Sequence, residues 1–142
     1  MSAAGGRRGR DAGSGTGERR RRGAVESLGA VVLGFESIVV FLGGLAIYGL
    51  QALPEGIAPW WGIVGGAVLA LLMIATVGLL RHTWGVALGW FWHLVLALGA
   101  FLVPALGIVA LVFGLMYAYA TIKGGQLDRR NAALAAAAEN GE

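Results

Sequence analysis

The chain has 142 residues, 57% of them hydrophobic and only 13% charged, with a formal net charge of +3 and no cysteine. So much apolar surface does not fit inside a soluble domain of this size, because small domains leave a large share of their surface in water. The absence of cysteine excludes disulfides, thiolate metal sites, iron–sulfur clusters and a thiol nucleophile.

Residues 1–25 open with MSAAGGRRGRDAGSGTGERRRRGA, rich in Gly, Ser, Ala and Arg, with almost nothing to bury. The composition predicts a disordered basic tail. It carries Arg19, Arg20, Arg21 and Arg22 directly ahead of the first apolar block. That position reads as a topology determinant and a draw for anionic headgroups rather than a nucleic-acid surface.

The first apolar block runs over about 28–50, LGAVVLGFESIVVFLGGLAIYGL. At the helical rise it covers about 34 Å, enough to cross a hydrocarbon core of about 30 Å. It is too long for a signal-peptide core, and three further apolar blocks follow. A loop with Pro54, Glu55 and Pro59 leads to the second block at 61–80. The break RHTW at 81–84 leads to the third at 84–101, and Pro104 suits the first turn of the fourth, 104–122. Lys123-Gly124-Gly125 reads as its stop, leaving 124–142 as a polar, then alanine-rich, cytoplasmic tail.

Spans must satisfy their own backbone polar groups, and these blocks lack the alternation of barrel strands, so they read as helices. All 11 Lys and Arg lie in the first tail, at Arg81, or from Lys123 onward. The positive-inside rule then gives four spans with both termini cytoplasmic. The expected fold is all-α: an integral membrane four-helix antiparallel bundle over 26–123, in the cytoplasmic membrane.

Glu36 stands eight residues into the first span, about 12 Å deep by helical rise. A charge at that depth costs about 2.5–3.5 kcal/mol on insertion scales, so a partner is expected. Gly29, Glu36 and Gly43 are spaced by seven and share a face, while Gly85, Gly89, His93 and Ala97 form a four-spaced stripe on the third span. His93 lies about 13 Å deep on a helix running the same way. The two side chains are therefore expected to meet, as an intramembrane polar pair that fixes helix register or handles protons. Thr76 and Tyr117, nearer the inner side, would extend that cluster.

Gly62-x-x-x-Gly66 and Gly85-x-x-x-Gly89 read as close packing within the chain. Trp90 and Trp92 lie deeper than an interfacial belt and read as bulk packing. His82 and His93 are about 16 Å apart along a helix axis and cannot share a metal or haem iron, so no metal or cofactor is expected. No phosphate-loop, hydrolase-triad or metalloprotease motif is present, and the spans supply too few converging polar residues for an enzyme.

Gly34-Phe35-Glu36, the VVFLGGL at 39–45 and the RHTWGVALGWFWH at 81–93 resemble the actinobacterial domain-of-unknown-function 4233 family, over residues 25–125 or so. That resemblance implies a small four-span membrane protein and brings no activity and no functional residue with it. Two readings follow. One is a structural or accessory protein partnered by the lipid bilayer, copies of itself or a larger membrane protein. The other is an oligomeric transporter or channel subunit using Glu36 and His93.

Overall fold

A computed structural model describes residues 22–141. The basic tail, including Arg19, Arg20 and Arg21, lies outside the described residues apart from its last few positions. The described residues form four helices: α1 Ala24–Gly49, α2 Trp61–Leu79, α3 Thr83–Gly99 and α4 Pro104–Asn140. No strand occurs among the described residues.

Each boundary has a local cause. Helix α1 ends where Gln51 adopts a left-handed φ of 49°, and the Ala52 N–H reaches back to the Ile47 carbonyl. This is the usual way a helix consumes its last free carbonyls. Pro54, Pro59 and Gly56, the last at φ 91°, keep the following segment irregular. A turn at 100–103 precedes Pro104, which opens α4 at a position where its missing N–H costs nothing.

The fourth helix does not stop at Lys123-Gly124-Gly125. It runs unbroken to Asn140, 37 residues in all, so residues 124–140 continue the helix. Two physical reasons account for this. The segment after Asn131 is almost entirely alanine and leucine, the strongest helix formers. Gly124 is buried against α1, where an added Cβ would come 2.7 Å from the Val25 nitrogen, so this glycine provides clearance rather than a break.

Helix α1 packs on α2 and α4, and α3 packs on α4 and more lightly on α2, which sets α1 and α3 facing each other across the middle. The α1–α2 seam is tight because glycines meet there. A Cβ on Gly66 would sit 2.9 Å from the Gly44 Cα, so the two backbones touch without side chains between them. The partner on α1 is Gly44. Gly43, one position earlier, has open space at its Cβ.

The core is held by Leu33, Met73, Leu96 and Tyr117. Around them the ordinary rule of burial is reversed. Val31, Phe35, Ile38, Leu71, Ile108 and Leu115 are all more than half exposed, while Glu36, Ser37, Thr76 and His93 are buried. An apolar outside around a polar inside is what a hydrocarbon solvent selects. Three helices, α1, α2 and α4, are long and apolar enough to cross a membrane. Helix α3 is shorter at 17 residues, about 26 Å by helical rise.

Candidate functional site: a buried acid–imidazole contact

Glu36 enters the interior because the buried stripe of α1 follows helical periodicity: Gly29, Val32, Leu33, Glu36, Ser37, Val40. On α3 the stripe is Gly85, Gly89, His93 and Leu96, and Ala97 faces outward. A strict four-residue step gains about 40° per step on a 3.6-residue helix, so the seam must skip back by one, from 97 to 96.

The two stripes bring Oε2 of Glu36 to 3.1 Å from Nε2 of His93, with the side chains 0% and 5% exposed. The separation is that of an ion pair, but the approach is bent away from the line of a well-formed hydrogen bond. The other carboxyl oxygen, Oε1, has no hydrogen-bond partner among the described residues.

The other face of the imidazole fixes its chemistry. Nδ1 lies 2.8 Å from the Gly89 carbonyl oxygen. A carbonyl only accepts, so Nδ1 carries a hydrogen and donates it. A carboxylate facing the bare lone pair of Nε2 would be repelled, so a dry interior favours one further proton between Nε2 and Oε2. On nitrogen it makes an ion pair; on oxygen it makes a neutral acid facing a neutral ring. Either way the contact has no net charge, which is the arrangement that a low-dielectric interior tolerates.

Tyr117 covers the ring, stacked on the imidazole at 5.1 Å between centroids and 27° between planes. Its hydroxyl donates to the Val86 carbonyl at 3.0 Å. Gly89 makes this possible, since a Cβ there would run into the Tyr117 hydroxyl. Tyr117 therefore borders the pair with its ring and does not extend its hydrogen bonds.

Thr76 belongs to a different tie. Its hydroxyl donates to the Leu72 carbonyl at 2.8 Å and accepts the indole N–H of Trp92, also at 2.8 Å. Trp92 is thus more than bulk packing: its polar edge joins α3 to α2. The expected single cluster resolves into three separate contacts, and all three land on α3. His93 reaches α1, Trp92 reaches α2, and Val86 receives Tyr117 from α4. The shortest helix is held to each of the others by one polar contact.

One residue escaped the sequence reading. Asp128 on α4 accepts the N–H of Ala24 at 2.6 Å and of Val25 at 3.2 Å. It caps α1 from across the fold, a role that Ser, Thr, Asp or Asn usually fills locally. Gly23 stands at the local cap position and offers no side chain. That missing local cap was the available signal. Beside it, exposed Arg22 lies 3.7 Å from the half-buried Glu26. Arg81 and Lys123 are exposed, at the α2–α3 turn and on α4. His82 is exposed as well and stacks on Trp84 at 6.3 Å, well away from His93.

Neither a curated protein nor a solved structure matches the chain. A family described as "Protein of unknown function (DUF4233)" matches residues 27–133, a stretch that takes in Glu36, His93, Tyr117 and also Asp128. The chain belongs to the DUF4233 family.

Proposed function

We propose that the chain is an integral protein of the cytoplasmic membrane. All four helices cross it as an antiparallel bundle with both termini in the cytoplasm, and the role is structural or accessory rather than enzymatic. The positive residues support this threading. Arg22, Arg81, Lys123, Arg129 and Arg130 gather toward one side of the spans, and the outer loops carry no Lys or Arg. Helix α3 crosses with little length to spare, which short spans manage by local thinning of the bilayer.

One observation carries the accessory reading: the Glu36–His93 contact is closed off, at 0% and 5% exposure, and forms one of three polar ties on a single helix. Helices in lipid gain little from hydrophobic attraction to each other, so such ties and close backbone packing are what hold an assembly together. The protein's partners are then the bilayer and either further copies of itself or a larger membrane protein.

The test is recovery of the tagged chain from native membranes in mild detergent, comparing wild type with Glu36→Gln. Loss of membrane level, or of a co-purifying partner, is the expected result. A Glu36→Gln protein that keeps its level and partners but loses a proton or solute flux would overturn the accessory reading.

A second reading has one observation behind it. The unpartnered Oε1 of Glu36 leaves a buried acceptor available to a proton or a protic solute. In that reading the chain is one subunit of an oligomeric transporter, since four short helices enclose no wide pathway alone.

A further inference from the structure

We propose that the groove between α1 and α4 on the cytoplasmic side is a binding site for one phospholipid with an anionic headgroup, its acyl chain lying in the groove and its phosphate held by Lys123. This rests on the membrane reading above.

The groove is about 470 Å³ and is walled by Leu28 and Val31 of α1 with Leu115, Met116, Tyr119 and Ala120 of α4. Its walls are almost wholly apolar, and its level is set by Leu28, one turn inside the start of α1. It therefore opens where an inner-leaflet chain would meet its headgroup.

What lies above the groove selects that headgroup. On a 3.6-residue helix, positions three and four further along return to the same face. Lys123 follows Ala120 by three and Tyr119 by four, so it stands on the groove face about 6 Å higher along the axis. Arg130, a further seven residues on, returns to that face again. Tyr119 itself is 64% exposed, an amphipathic ring at the level where such rings favour an interface. On α1, Ser27 precedes Val31 by four and is exposed at the same mouth.

The nearby acids among the described residues face elsewhere or are engaged. Asp128 stands about 140° around α4 from Lys123 and is bonded to the α1 N–H groups, and Glu26 is beside Arg22. An ammonium above an apolar slot, with the described acids turned away or engaged, complements a phosphodiester whose headgroup brings no cation of its own, with a hydrocarbon chain beneath it.

The experiment uses the full chain, purified in detergent with equal trace amounts of phosphatidylglycerol and phosphatidylcholine, washed, and weighed by native mass spectrometry. The expected result is about one phosphatidylglycerol retained per chain, in clear preference to phosphatidylcholine. Lys123→Gln lowers that preference about fivefold, the effect of one basic residue at an anionic surface. Val31→Trp, which fills the groove from a position 65% exposed, removes retention of both lipids. Leu94→Trp, exposed on α3 away from the groove, leaves retention unchanged. Equal retention of the two lipids, or a Lys123→Gln protein that keeps its preference, overturns the site. An alkaline wash of the membranes separates this failure from that of the membrane reading: a chain that stays in the pellet yet shows no preference sinks only the lipid site, and a chain released to the supernatant sinks both.

Discussion

Removing one side of the Glu36–His93 contact is not equivalent to removing the other. In Glu36→Leu the imidazole loses Oε2 but keeps its donation to the Gly89 carbonyl. In His93→Leu the carboxyl group is left with neither oxygen bonded, at 0% exposure, so no water takes over. Breaking a buried pair costs about 3–5 kcal/mol in soluble proteins. Interhelical polar contacts in a bilayer average about 0.6 kcal/mol and reach about 1.7 kcal/mol. The bent approach and the unpartnered Oε1 place this contact in the lower range. Expected costs are about 1 kcal/mol for Glu36→Leu and about 2 kcal/mol for His93→Leu, guided by the same range. The double variant places two apolar side chains of similar size together and recovers about 1–2 kcal/mol of the summed loss. The assay is unfolding of the purified chain in mixed micelles by titrated SDS, followed by tryptophan fluorescence. If the double variant equals the sum of the singles to within about 0.5 kcal/mol, the two side chains are not coupled and the three-tie account of α3 is wrong.

Three further outcomes are expected. Asp128→Ala frees the N–H groups of Ala24 and Val25 and costs about 1 kcal/mol, visible as faster amide exchange confined to the first turn of α1; unchanged exchange there contradicts the cross-fold cap. Gly66→Ala forces the α1–α2 backbones apart and destabilises by about 1–3 kcal/mol, whereas Gly65→Ala, with open space at its Cβ, is neutral or mildly stabilising in the same SDS titration; equal effects would show that the seam is not at Gly44 and Gly66. Gln51→Gly relieves a left-handed residue and raises stability by up to about 1 kcal/mol; a loss would mean that the Gln51 side chain does something its backbone does not reveal.

The contact between Glu36 and His93 was legible from sequence because an acid and an imidazole are both costly inside long apolar stretches and stand at similar distances along theirs. Depth follows from counting residues, and counting is reliable in a helix. Facing is harder. Ala97 was read into the stripe and Leu96 left out, because a four-residue step drifts around the helix and only the packed structure shows where the seam jumps. Gly43 and Gly44 were exchanged for a similar reason: spacing by seven puts Gly43 beside Glu36, but the glycine that α2 needs faces a different neighbour. The end of α4 was missed because adjacent glycines weaken a helix locally, and nothing in a linear reading shows that Val25 lies against Gly124. Asp128 was illegible on the same ground, since its partners are more than a hundred positions away in the chain. Thr76 and Tyr117 were placed near the pair by depth, while their hydroxyl groups turn to carbonyls that sequence does not locate.

The unbroken course of α4 has a mechanical consequence. From Ile122 to Asn140 the helix projects about 27 Å past its apolar stretch, by helical rise, with no hinge between. It is joined to the start of α1 where it leaves the others, through Asp128 and the contact at Gly124. A rigid rod pinned between its ends carries a tilt of one arm over to the other in the opposite sense, with no joint to absorb it. A lean of the apolar part would thus reappear at the alanine-rich end, on an arm no longer than the one that leans.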